Sequence, residues 1–142
     1  MNRNIDDVAP EKRERDKCAG ILVVDDDPEI RESLRDVLEE EGYRVSCVGN
    51  GREALDYLGQ SPAPCVILLD LMMPVMDGWQ FRREQKKDPA LARIPLVVIT
   101  ASGNRTVMID ADELVMKPFE TDKLFDILNR YCGAAAVTSP EA

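Results

Sequence analysis

ILVVDDDPEI (residues 21–30) is an apolar run that stops at three aspartates and continues as a helix signal. Aliphatic and β-branched residues predict a buried strand over ILVVD (21–25). Asp27 followed by Pro28 is a preferred pair at a helix start, and apolar residues then recur at helical spacing until Gly42. The stretch therefore predicts one βα unit with a tight acidic connection.

The same strand-and-helix pattern repeats along the chain. Further strands are predicted over YRVSCV (43–48), CVILLD (65–70), PLVVIT (95–100) and ELVMK (113–117). Further helices are predicted from Gly51, where Asn50 and Glu53 resemble a capping box, over DGWQFRREQKK (77–87), and from Thr121 to near Tyr131. Nearly continuous apolar strands indicate a parallel sheet covered on both faces. Five such units fit an open, doubly wound α/β sheet, because an eight-stranded barrel needs roughly 200 residues or more.

The length of 142 residues is typical of one domain. Residues 1–17 are polar and aperiodic, and we expect them to form a flexible leader before a domain over 18–132. The small and polar residues 133–142 are expected to form a flexible tail.

Composition excludes several classes of function. The formal net charge is −9 and the basic residues are dispersed, which argues against a nucleic-acid surface. No apolar stretch approaches the roughly 18 residues of a membrane span, and no signal-peptide pattern is present, so we expect a cytoplasmic protein without a membrane partner. With no histidine and no CxxC spacing among four cysteines, zinc binding and a Ser-His-Asp triad are disfavoured, and the cysteines are expected to be reduced apolar side chains.

Polar residues end four of the five predicted strands. Asp25 and Asp26 follow the first strand, Asp70 ends the third, Thr100 ends the fourth and Lys117 ends the fifth. In open parallel sheets, ligands bind beyond the carboxyl ends of the strands. Converging carboxylates would repel one another unless they share a hard cation such as Mg²⁺. A lysine and a hydroxyl beside them can hold an oxyanion, most simply a phosphoryl group.

These residues carry a family resemblance. The pair Asp25-Asp26, LLDLMMPVMDG (68–78), IPLVVITA (94–101) and KPF (117–119) together resemble the receiver domain of bacterial two-component response regulators over about residues 19–131. The resemblance implies a CheY-like, flavodoxin-like fold, a doubly wound (βα)5 arrangement with strand order 2-1-3-4-5.

The resemblance also implies a metal-dependent phosphoacceptor site. Asp70 would accept a phosphoryl group from a sensor histidine kinase or a histidine phosphotransfer protein. Asp26 and Asp70 would bind Mg²⁺ directly, with Mn²⁺ as a substitute, Asp25 would bind it largely through water, and the main-chain carbonyl of Met72 would complete the protein ligands.

Three further residues would complete this implied site around the phosphoryl group. Thr100 and the amide of Ala101 would donate hydrogen bonds to phosphoryl oxygens, and Lys117 would neutralise their charge. Lys117-Pro118 matches a position where receivers commonly have a cis peptide bond.

Two features depart from the family pattern. Only 17 positions separate Thr100 from Lys117, so the helix between the fourth and fifth strands, the fourth in the family pattern, is expected to be shortened or unravelled. Leu114 stands where receivers often carry a Tyr or Phe that reports phosphorylation. The segment 102–113 is then a tolerated surface deletion, a restructured signalling surface, or a segment that rearranges on phosphorylation.

The leading hypothesis is a single-domain response regulator that catalyses only its own phosphorylation and dephosphorylation and signals by contact with a downstream protein. On this hypothesis, no output domain is expected after Tyr131. The alternative is a phosphorylation-independent pseudo-receiver interaction module. A haloacid dehalogenase-type hydrolase would need a second aspartate after Asp70-Leu71, and a dinucleotide-binding domain would need GxGxxG after the first strand.

Overall fold

One parallel sheet forms the centre of the computed structural model, which describes residues 20–101 and 109–132. Its strands are β1 (Ile21–Val24), β2 (Val45–Val48), β3 (Val66–Leu69), β4 (Leu96–Thr100) and β5 (Glu113–Met116). They lie in the order β2-β1-β3-β4-β5, and every neighbouring pair is parallel. The predicted fold class and strand order are confirmed.

Five helices connect or follow the strands in the described ranges. They are α1 (Pro28–Glu40), α2 (Gly51–Gln60), α3 (Gly78–Lys87), α4 (Pro89–Ala92) and α5 (Thr121–Cys132). The four-residue helix α4 was not predicted, because it is too short to show apolar periodicity. It nevertheless uses the same start signal as α1, since the Asp88 side chain accepts from the amide of Ala90 and Pro89 follows the cap.

Apolar residues on both faces of each central strand explain the continuous runs in the sequence. Ile21 and Val23 belong to a buried cluster with α1 and α5, whereas Leu22 and Val24 belong to a second cluster with α2 and α3. Successive strand residues point to opposite faces, so a sheet covered by helices on both sides has no polar alternation.

The backbone pairing extends just beyond several strands and thereby aligns their ends. The Asp25 amide donates to Val48 O at 3.1 Å, and the Asp70 amide donates to Val24 O at 2.9 Å. Between β4 and the edge strand β5, the Lys117 amide donates to Thr100 O at 2.9 Å. These bonds bring the acidic and basic strand ends to one edge of the sheet.

The two helix caps predicted from side chains are present, one of them in altered form. An Asp27 carboxylate oxygen accepts from the Glu29 amide at 2.9 Å. At α2, Asn50 accepts from the Glu53 amide at 2.9 Å, but the Glu53 carboxylate accepts from the amide of Gly49 at 2.7 Å instead of closing on Asn50. The cap is therefore one residue wider than the predicted box.

Replacing Asp27 with Ala is expected to lower the free energy of unfolding by about 1 kcal/mol, because the first turn of α1 loses its side-chain acceptor. Urea denaturation monitored by circular dichroism measures this change. Asp27→Asn serves as the control, since asparagine caps equally well. A loss in Asp27→Asn as large as that in Asp27→Ala would contradict the capping role.

Several expectations fall outside the described residues. The leader 1–17, the tail 133–142 and most of the connection where a shortened helix was expected (102–108) are among them, while residues 109–112 are not helical. Within the described ranges, no helix is long and apolar enough to cross a membrane. The expectation of four reduced cysteines is wrong in part: Cys47 and Cys132 are free thiols, but Cys65 is disulfide-bonded. Spacing alone did not reveal that pairing.

Candidate functional site

Three aspartates meet at the carboxyl edge of the sheet. One carboxylate oxygen from each of Asp25, Asp26 and Asp70 lies within 4.8 Å of the others. Asp25 is buried, Asp70 is half-buried and Asp26 is exposed. Oxygen ligands around Mg²⁺ at about 2.1 Å stand roughly 3–4 Å apart, so small side-chain adjustments suffice for a shared ion. The donor set thus fits a hard divalent cation, as predicted from the strand ends.

Lys117 reaches into the same cluster from the end of β5. Its Nζ lies 3.4 Å from Asp25 Oδ2 and 3.9 Å from Asp70 Oδ1, and 22% of its side chain is exposed. The Lys117-Pro118 peptide bond is cis, as the family resemblance implied. The ammonium is therefore placed to contact an oxyanion carried by Asp70 while it remains paired with Asp25.

Asp25 is held at three points. Its Oδ1 accepts from the Asp27 amide at 2.9 Å, its Oδ2 faces Lys117, and its main-chain carbonyl accepts from Arg31 Nη1 at 2.7 Å. Sequence reasoning missed Arg31. The available signal was an arginine in the first turn of the helix that directly follows the acidic pair.

The pKa of Asp70 is raised from its ordinary value of 3.8 to about 6. Burial is the largest cause and the nearby charge of Asp25 adds to it, while the positive charge of Lys117 acts in the opposite direction. The half-buried carboxylate of Asp70 is repelled by the neighbouring carboxylates, and the single positive charge of Lys117 does not neutralise all of them. A cation bound among them would relieve that repulsion.

The remaining predicted site residues lie at the end of β4 and along a cleft beside Asp26. Thr100 is buried at the end of β4, and Ala101, the next residue, is exposed. Met72 is 59% exposed and lines an open cleft of about 290 Å³. The other residues along this cleft are Asp26, Met73, Pro74 and Asp77. The cleft thus opens beside Asp26, one of the three clustered aspartates. The individual roles of Thr100, Ala101 and Met72 stay predictions.

Comparison with known proteins agrees with this geometry. Residues 21–129 match the model of the response regulator receiver domain. The chain belongs to the response regulator receiver family. Members of this family take a phosphoryl group from histidine kinases in two-component systems.

Receivers from several bacteria are similar to this one. Response regulator Rre1 of Synechocystis sp. is 37% identical over 110 residues, which cover 73% of this chain and 47% of that protein. Among solved structures, the receiver domain of a signal transduction histidine kinase from Syntrophus aciditrophicus has a TM-score of 0.75 and 36% identity, covering 86% of this chain and 96% of the other. This receiver spans about half the length of the curated relatives it matches.

A third relative bears on the metal. The receiver domain of a sensor histidine kinase from Pseudomonas aeruginosa PAO1 was crystallised with a magnesium ion coordinated in its active-site cleft. It shows a TM-score of 0.74 and 30% identity to this receiver, and the match covers 82% of this chain and 99% of that one.

Proposed function

We propose that this receiver accepts a phosphoryl group on Asp70 in a reaction that depends on Mg²⁺ or Mn²⁺. One observation carries the proposal: the Asp70 carboxylate stands within 4.8 Å of oxygens from Asp25 and Asp26 and 3.9 Å from the Lys117 ammonium. A nucleophile, a cation-binding acid pair and a fixed positive charge are the parts that phosphoryl transfer requires.

Asp70 acts as the nucleophile. An oxygen of its carboxylate attacks the phosphorus of a phosphohistidine on the donor protein, an O–P bond forms, and the N–P bond breaks with its electron pair going to the imidazole nitrogen. Lys117 holds one phosphoryl oxygen, and the Thr100 hydroxyl and the Ala101 amide hold others. Since the transfer involves little other covalent chemistry, alignment and charge neutralisation by these groups supply most of the catalysis.

Asp26 and Asp70 would bind the metal directly, with Asp25 acting largely through water and the Met72 carbonyl completing the protein ligands. When bound, Mg²⁺ neutralises phosphoryl charge and orients the transferring group. The exposure of Asp26 leaves room for the several waters that Mg²⁺ retains.

The proposed donor is a sensor histidine kinase or a histidine phosphotransfer protein, and the proposed output is contact with another protein. Nucleic acid is not expected at this domain, because its net charge is −9 and phosphate backbones attract clustered cations. Curated relatives are about twice as long, so activities of their remaining parts are not carried over.

Phosphorylation can be tested without the natural kinase. The full chain is incubated with acetyl phosphate and Mg²⁺, and intact mass is followed over time. We expect the mass of one added phosphoryl group, its absence when EDTA replaces Mg²⁺, and its location on the peptide that contains Asp70. An unmodified mass under all conditions would favour the phosphorylation-independent pseudo-receiver instead.

Replacing Asp26 with Ala is expected to weaken Mg²⁺ binding at least about tenfold, because a direct ligand is lost. Isothermal titration calorimetry measures this affinity. Asp27→Ala is the matched control, since Asp27 is the adjacent carboxylate but its side chain caps α1, and we expect less than about a twofold change in its affinity. Equal losses in the two variants would show that the acidic loop binds the ion without distinct roles.

A further inference from the structure

Arg31 contacts the metal-binding loop from the first turn of α1. Its Nη1 donates to the main-chain carbonyl of Asp25 at 2.7 Å, in a partly buried position. We propose that Arg31 is a positioning residue that fixes the peptide unit between Asp25 and Asp26 and thereby sets the affinity for Mg²⁺. The inference rests on the proposed metal role of these two aspartates.

The carbonyl that Arg31 binds lies just past the sheet ladder. Val24 O still accepts from the Asp70 amide, and the Asp25 amide still donates to Val48 O. At the Asp25 carbonyl the chain leaves β1 for α1. Because a peptide unit is planar, the orientation of this carbonyl also sets the direction of the Asp26 amide and Cα. Arg31 therefore restrains the backbone from which the Asp26 side chain projects.

Asp26 depends on the backbone more than Asp25 does. The Asp25 carboxylate is already held by the Asp27 amide at 2.9 Å and by Lys117 at 3.4 Å. Asp26 is exposed, so few neighbouring atoms restrain its side chain. The direction of its carboxylate therefore depends mainly on the loop backbone. A ligand that is oriented before binding loses less conformational entropy when the ion arrives, which raises affinity.

The surroundings leave space for the guanidinium. Gly49 follows β2, and a Cβ built at this position would lie 3.4 Å from Arg31 Nη1 and 3.4 Å from Glu53 Oε1. A methyl group at Gly49 would thus lie against the guanidinium at ordinary van der Waals distance. A bond of 2.7 Å from a charged donor is at the strong end for N–H···O contacts.

The test compares Arg31→Ala, Arg31→Lys and Arg35→Ala. Arg35 is an exposed arginine on the same helix and loses the same charge on substitution. We expect Arg31→Ala to weaken Mg²⁺ binding about tenfold by calorimetry, in the range for residues that orient metal ligands. Arg31→Lys should recover most but not all of this loss and bind Mg²⁺ about threefold more weakly than wild type, because it keeps the charge and a donor but lacks the planar guanidinium. Arg35→Ala should change the affinity less than about twofold.

A second readout separates positioning from general stability. With acetyl phosphate as donor, the Mg²⁺ concentration for half-maximal phosphorylation should rise about tenfold in Arg31→Ala, while the rate at saturating Mg²⁺ stays at the wild-type level. A lowered plateau with unchanged half-saturation would overturn the positioning role, as would an equal loss of affinity in Arg35→Ala. Should Arg31→Ala fail to fold, Arg31→Lys decides: an affinity about threefold weaker supports the proposal, and a wild-type affinity overturns it.

The outcome also distinguishes this inference from the proposed function. Unchanged affinity in Arg31→Ala, when the wild-type chain binds Mg²⁺, would overturn the role of Arg31 alone. A wild-type chain that binds no Mg²⁺ would overturn both.

Discussion

Replacing Asp70 with Asn is expected to reduce phosphoryl incorporation from acetyl phosphate at least about a hundredfold, because the amide lacks the nucleophilic carboxylate. The substitution is nearly isosteric, and Lys117 keeps its closer partner, Asp25, at 3.4 Å. The pocket should thus persist while the chemistry stops. Intact mass spectrometry over a time course, with Mg²⁺ at saturation, measures the effect.

Asp36→Asn is the matched control for this prediction, since Asp36 is an exposed carboxylate on α1. We expect it to incorporate phosphoryl groups at the wild-type rate. Incorporation by Asp70→Asn at a comparable rate would mean that another carboxylate, such as Asp26, accepts the group, and the assigned acceptor would be wrong.

The same Asp70→Asn substitution is expected to stabilise the metal-free protein by about 2–3 kcal/mol at pH 7. The pKa of Asp70 is raised from 3.8 to about 6 in the folded protein, chiefly by burial and then by Asp25. Between these two pH values the folded state therefore binds more protons than the unfolded state. The free energy of unfolding falls as the pH rises through this window, and the destabilisation by ionised Asp70 is fully present above pH 6. Asparagine carries no charge, so the Asp70→Asn variant lacks this destabilisation.

Urea denaturation in EDTA between pH 4 and pH 7 tests this prediction. The gain from Asp70→Asn should be largest at pH 7 and close to zero at pH 4, where Asp70 is protonated in the folded protein. Added Mg²⁺ should narrow the difference at pH 7, because it binds the folded wild-type site. Asp36→Asn should stay within about 0.5 kcal/mol of wild type. A gain that is constant across the pH range would contradict the electrostatic origin.

Much of the fold was predictable because its strands are apolar on both faces and its helices begin with strong local signals. Residues 21–30 alone contained a buried strand and the Asp27-Pro28 helix start, and both are present. The convergence of Asp25, Asp70 and Lys117 was predictable as well, because parallel strands place their carboxyl ends at a single edge.

Other features depend on tertiary contacts that leave little trace in the sequence. The Arg31 bond to the Asp25 carbonyl requires the turn between β1 and α1 to fold the helix back over the strand end. The raised pKa of Asp70 results from burial together with the approach of Asp25, neither of which spacing can quantify. Helix α4 lies below the length at which periodicity is detectable.

The pairing of β4 with β5 has an evolutionary consequence. Four matched residue pairs, from Val97 and Glu113 to Thr100 and Met116, precede the bond between the Lys117 amide and Thr100 O. The backbone position of Lys117 is thus set by the sheet. Changes beyond Ala101 in the connection between the two strands can therefore accumulate without displacing the Lys117 backbone from the pocket. A lineage can therefore inherit an unaltered chemical centre while the sequence of this connection diverges.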